Sequence, residues 1–151
     1  MNGRERQDWP TTAMHLAFEI ANCRSEDPDR QIGAAIIKSN GDIVLGYNGA
    51  PKGVEIDWSN DEEKKPRVIH AEANALSRIQ YGEAKFIAVT HLPCPVCMNV
   101  IKQKGVNDVY YSKILASKAY DSGLAMQLAK DYKINLIHLD YDPRRNHCCK
   151  Q

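Results

Sequence analysis

The chain has 151 residues, 43% of them hydrophobic, and a formal net charge of +1. That length suits one domain with a core of its own, and the near-neutral balance argues against duplex nucleic acid or a membrane surface as a partner. No run approaches the ~18 apolar residues of a membrane span, and the first residues lack an apolar signal region, so a cytoplasmic protein is expected.

Residues 11–23 carry Met14, Ala17, Phe18 and Ala21 with polar residues between, a helical period. Residues 32–38 and 42–47 are β-branched-rich runs around Ser39-Asn40-Gly41, which predicts a hairpin. Residues 48–66 are polar and rich in Gly, Pro and acid, and read as a long surface loop. A helix is predicted over 70–81, ending near Gly82, and a short buried strand over 86–90. The next helix starts just after Cys94, with Pro95 suited to its first turn. A strand over 106–111, a helix over 121–131 and a strand over 134–139 complete the chain, with a polar tail from about 143. The alternation in the second half favours parallel pairing with helices on both faces. The expected fold is a three-layer α-β-α sandwich around a five-stranded mixed sheet, one domain over 1–151.

The chemistry lies in two short motifs, His70-Ala71-Glu72 and Pro93-Cys94-Pro95-Val96-Cys97. An imidazole and two thiolates suit zinc, and three protein ligands leave a tetrahedral position for water, as in catalytic zinc sites. Cys94 and Cys97, three apart at a helix start, can face one point, where the helix dipole favours thiolate. Glu72 stands close enough to serve as the proton carrier. A structural zinc site would need a fourth ligand, for which His91 is the nearest candidate. A redox Cys-x-x-Cys would require neither His70 nor Glu72. The odd number of cysteines, five, fits metal binding in a reducing compartment better than a disulfide framework. Cys23 reads as a small buried residue, and Cys148 and Cys149 close the polar tail.

His-x-Glu followed by Pro-Cys-x-x-Cys is the signature of zinc deaminases acting on cytosine or adenine. From about Thr11 to Leu139 the chain resembles the deoxycytidylate (dCMP) deaminases of the cytidine deaminase-like superfamily. The likeness adds Arg24-Ser25, Asp27-Pro28, Gly33-Ala34, the stretch from Gly46 to Gly53, His70 to Ala75 and Tyr120-Asp121-Ser122. The metal motif carries only the superfamily, whereas Gly46-Tyr47-Asn48-Gly49 and Asn74 point to the dCMP branch.

The resemblance implies hydrolysis of dCMP to dUMP and ammonia, supplying thymidylate synthesis. It implies one zinc ion on His70, Cys94 and Cys97, with Glu72 as proton shuttle. Asn48 matches a sugar-binding asparagine, and Arg24, Ser25 and Tyr120 match positions near the substrate phosphate. By charge alone Arg30 and Lys52 are further candidates for the phosphate. The resemblance also implies a homo-oligomer, a hexamer in many members, activated by dCTP and inhibited by dTTP. The effector site would use Gly46, Tyr47, Asn48 and Gly49, with Mg2+ accompanying the triphosphate. The central insertion, 54–68, holds no Cys or His, so no second zinc is expected. Two rivals stay open: a deaminase of another base, such as a tRNA adenosine or free nucleoside, and a zinc-stabilised binding module.

Overall fold

The structure, a computed structural model, describes residues 3–146. In chain order its elements are α1 (Trp9–Arg24), β1 (Gly33–Lys38), β2 (Ile43–Tyr47), α2 (Asp61–Lys64), α3 (Ala71–Leu76), β3 (Ala84–His91), α4 (Pro95–Gln103), β4 (Asp108–Lys113), a 3-10 turn (Lys118–Tyr120), α5 (Ser122–Asp131), β5 (Asn135–His138) and α6 (Pro143–Asn146). The strands form one sheet in the order β2-β1-β3-β4-β5. β1 runs antiparallel to β2 and β3, while β3, β4 and β5 are parallel. The expected three-layer sandwich around a five-stranded mixed sheet is the observed fold.

The pleat sends alternate side chains to opposite faces, and each face has its own core. Ala35, Ile37, Phe86 and Ala88 meet Ala13, Met14, Ala17 and Phe18 of α1. Ala34, Ile36, Ile87, Val89 and Val109 meet Ala75, Leu76, Met98, Ile101, Ala125 and Ala129 of α3, α4 and α5. α4 and α5 link successive parallel strands in one direction across the sheet, so crossovers of one hand place both on the same face. α1 covers the other face, joined by the buried Tyr141.

Local chemistry explains where the boundaries differ from expectation. α1 begins at Trp9 because the Asp8 carboxylate accepts the Thr11 amide at 2.8 Å and Pro10 fits the first turn. α3 is shorter than the predicted 70–81. It ends at Leu76, where the Ser77 hydroxyl donates to the Asn74 carbonyl and the next amides bond three residues back instead of four. Residues 48–66 are not wholly irregular: Asn60 accepts the Glu62 and Glu63 amides and starts the four-residue α2. Val106 lies in the core but outside a strand, its amide closing the end of α4 on the Ile101 carbonyl. The Asn-Gly hairpin is present, with Gly41 at φ 93° where a side chain would be strained.

Cys23, expected to be buried, is exposed. The inward stripe of α1 runs through Met14, Ala17, Phe18 and Ala21, and two residues past Ala21 the helix has turned its surface outward. The tail from 143 opens with α6, which Gln7 ties down through its bond to the Asn146 carbonyl at 2.7 Å. Cys148 and Cys149 lie outside the described residues. Among those described, no helix is long and apolar enough to cross a membrane.

Candidate active site

Two helix starts meet at one end of the sheet. His70 is the residue before the first turn of α3 and Cys94 the residue before the first turn of α4, both with extended backbone. Neither side chain caps its helix, so both are free to face each other. Cys97, in the first turn of α4, brings the third donor. His70 Nδ1 lies 3.5 Å from Cys94 Sγ and 3.3 Å from Cys97 Sγ. The three donor atoms fall within 4.8 Å of one another. Such separations suit a tetrahedron whose metal–ligand bonds are ~2.0–2.3 Å, and one nitrogen with two sulfurs is a donor set that zinc takes. The cluster fits the metal.

The Cys97 thiol donates to Cys94 and holds its pKa down to about 4, while that same bond and burial push Cys97 upward. The hydrogen bond to Cys94 raises the pKa of His70 against the effect of its burial. Glu72 is buried, in the first turn of α3. Burial raises its carboxyl pKa; the His70 charge, a backbone hydrogen bond and the Cys97 thiol pull the other way. A carboxyl whose pKa is raised by burial is better suited to taking up a proton than an exposed one.

His91 is not in the cluster. Its Nδ1 lies 2.7 Å from the Thr90 hydroxyl, and burial, helped by Lys113, pushes its pKa down to about 4.

A cavity of about 370 Å³ opens on His70 and Cys94, and Arg30, Asn48, Lys64 and Tyr120 are among its walls. The Tyr120 ring stacks on the His70 imidazole, centroids 6.3 Å apart and planes at 19°. The Arg30 guanidinium lies over the Tyr120 ring, 5.0 Å from its centroid. Asn48 is buried and organises the wall: Oδ1 accepts from the Ile32 amide at 3.0 Å and from the Ser25 hydroxyl, and Nδ2 donates to the Arg30 carbonyl at 2.8 Å.

The structure thus gathers Asn48 and Tyr120 beside the metal cluster, with Ser25 behind Asn48. Arg24 is not among them. It ends α1 on the rim of a second cavity of about 620 Å³, its guanidinium 5.9 Å from the Tyr47 ring centroid, with Gly49, Lys52, Asn74 and Arg78 around it. Gly46 faces neither cavity, because it is buried under α3. Sequence reasoning gave no site role to Lys64 or to Asp27, whose 3.2 Å ion pair lies in the wall of the first cavity. Nothing in their spacing, 37 residues apart, could have announced it.

Comparison with known proteins agrees with this geometry. The family described as the cytidine and deoxycytidylate deaminase zinc-binding region matches residues 7–113. Human deoxycytidylate deaminase is 36% identical over 126 residues, spanning 76% of this chain and 68% of that protein. An uncharacterized deaminase in the luxG 3' region of Aliivibrio fischeri is 40% identical over 105 residues, spanning 68% of this chain and 71% of that protein. The crystal structure of dCMP deaminase from the cyanophage S-TIM5, in complex with dCMP and dUMP, aligns with a TM-score of 0.72 at 26% identity, over 90% of this chain and all of that one. With the motif, the three-donor cluster and the sheet order all in agreement, the chain belongs to the cytidine and deoxycytidylate deaminase family.

Proposed function

We propose that the chain is a zinc-dependent deoxycytidylate deaminase: water replaces the 4-amino group of dCMP, the C4–N bond breaks, and dUMP and ammonia leave. The observation that carries this reading is one cavity with His70 and Cys94 of the three-donor cluster at one wall and Arg30 at another. The substrate preference is supported by the deoxycytidylate deaminases among the relatives.

His70 Nδ1, Cys94 Sγ and Cys97 Sγ would hold the zinc, which when bound acidifies water toward hydroxide. Glu72, buried beside them, would take one proton from water and give it to the ring N3, where it stays in dUMP. It would then take the second from the hydroxyl added at C4 and give it to the amine, which leaves as ammonia while C4 keeps the oxygen as a carbonyl. Tyr120 and His70 form an aromatic wall against which a base can lie. Asn48 has one N–H left over after the Arg30 carbonyl and directs it to a sugar oxygen. Arg30 supplies the charged donors for the phosphate, and Ser25 holds Asn48 in place through Oδ1.

The second cavity suits a regulatory nucleotide, with Arg24, Lys52 and Arg78 for phosphates and Tyr47 for a base. We assign it to dCTP as activator and dTTP as inhibitor, each with Mg2+, in a cytoplasmic homo-hexamer. Gly46 and Asn48 would support that site from behind; Tyr47 and Gly49 line it.

The test is a substrate panel on purified, zinc-loaded protein: dCMP, deoxycytidine and an adenosine-bearing RNA hairpin, with and without dCTP and dTTP. Ammonia from dCMP above all others is expected. Preference for the nucleoside or the RNA would move the chain to another branch, and sedimentation as a monomer would remove the hexamer.

A further inference from the structure

α2 forms one wall of the first cavity and the segment between α1 and β1 another, and Lys64 reaches from one to the other. Its Nζ lies 3.2 Å from Asp27 Oδ1 and 3.5 Å from Asp29 Oδ2, with the Trp58 ring 6.0 Å away. Lys64 is 14% exposed and Asp27 only 5%, whereas Asp29 is 73% exposed. Asp27 Oδ1 also accepts the Asp29 amide at 2.9 Å, which fixes the carboxylate toward the cavity wall. Burial works against the Lys64 charge, but the Asp27 hydrogen bond and the charges of Asp27 and Asp29 raise its pKa, so it stays an ammonium.

The cavity wall carries three carboxylates, Asp27, Asp29 and Asp61, and three cations, Arg30, Lys64 and Lys65. An anionic ligand meets a balanced wall only while Lys64 is present. Two of those carboxylates stand within three residues of Arg30, where the substrate phosphate is placed. Uncovered, they would repel a phosphate across a partly dehydrated cavity.

We propose that Lys64 is a positioning and specificity residue that screens Asp27 and Asp29, so that Arg30 can receive a phosphate. Lys64 acts through the two carboxylates and not by touching the ligand. The inference rests on the reading of this cavity as a deoxynucleoside monophosphate site.

The experiment compares dCMP with deoxycytidine, the latter as substrate or as competing ligand. Wild-type turnover of dCMP is measured first; its absence rejects the functional reading itself, before Lys64 is at issue. Lys64→Met should raise KM for dCMP on the order of tenfold, with the loss in KM and not kcat, while deoxycytidine binding barely moves. Lys64→Arg should restore most of the dCMP affinity, and so should Asp27→Asn combined with Lys64→Met. Equal losses for dCMP and deoxycytidine would reduce Lys64 to a structural tie and overturn the proposal. A double variant no better than Lys64→Met would place Lys64 on the phosphate itself, also overturning it. Should Lys64→Met not fold, Lys64→Gln takes its place, keeping a polar contact to Asp27 without the charge. KM for dCMP should again rise while that for deoxycytidine stays, and an unchanged dCMP value contradicts the screening role.

Discussion

Gly46 and Ala71 are in backbone contact: a methyl group at Gly46 would stand 2.4 Å from the Ala71 carbonyl oxygen. Ala71 is the residue between His70 and Glu72. The strand β2 therefore sets directly how close α3, with its metal donor and its buried carboxyl, sits to the sheet. The same methyl would lie 2.6 Å from the Ala75 amide nitrogen, so no flexible side chain can yield.

Gly46→Ala is accordingly expected to cost about 2–3 kcal/mol by overpacking and to weaken zinc retention as α3 shifts. Gly49→Ala is the contrast within the same tetrapeptide, since the nearest atoms to its methyl belong to the flexible Glu26 side chain, which can swing away. It should cost less than about 1 kcal/mol. Urea unfolding of the two variants, with zinc measured after dialysis, checks both; equal losses would show that the close approach to α3 does not matter.

Asn48 joins three segments through one carboxamide, so its removal should be felt in both stability and binding. Asn48→Ala leaves the buried Ile32 amide without its acceptor and frees the Arg30 loop, at a cost of about 1–3 kcal/mol. Unfolding midpoints test the first effect, and an increase in KM for dCMP tests the second. A variant as stable as wild type would mean that water replaces the carboxamide without loss.

Of the two arginines near the site, Arg30 should matter more for the substrate phosphate. Arg30→Met removes charge-assisted bonds worth about 1.5–3 kcal/mol, a drop of roughly tenfold to a hundredfold in kcat/KM for dCMP. Arg24→Met should show instead in the response to dCTP and dTTP, because Arg24 lies at the second cavity. A larger loss of dCMP turnover from Arg24→Met than from Arg30→Met would reverse the assignment.

His91 adds a pH dependence to stability. Its ordinary pKa of 6.5 falls to about 4 in the folded chain because of burial, with Lys113 adding to the effect. Between those values the unfolded chain binds a proton that the folded chain refuses, so stability falls as pH drops from about 6.5 to about 4 and then levels off. His91→Gln should lose this component, on the order of 1–2 kcal/mol after discounting for partial solvent contact. Subtracting variant from wild-type stabilities across the range cancels the contribution of the metal donors. A pH-independent difference would contradict the depressed value.

The metal cluster was legible in the sequence because its spacing is local and its chemistry narrow. His70-x-Glu72 and Cys94-x-x-Cys97 each sit at a helix start that the flanking residues announce, Pro95 above all. The order of the elements was legible too, since the helical period of α1 and the alternating units after β3 each bury one face. What escaped is set by tertiary geometry. Arg24 and Arg30 flank a segment without period, and only its path over the sheet decides which one turns to the cavity. α2 hides within an acid-rich stretch that has no apolar face, held by the Asn60 cap and the reach of Lys64 to Asp27. Gly46 reads as part of the motif implied to hold an effector, yet its lack of a side chain serves the packing of α3.

The central claim is that Glu72 moves protons for hydrolysis of dCMP at a zinc centre that it does not itself build. Its most direct test is ammonia release from dCMP by wild-type protein and Glu72→Gln, each shown by metal analysis to carry equimolar zinc. Wild type should form dUMP and ammonia in equal amounts, and Glu72→Gln should keep its zinc while slowing by at least ~10²–10⁴. No release by the zinc-loaded wild type, or equal rates for the two proteins, would contradict the account.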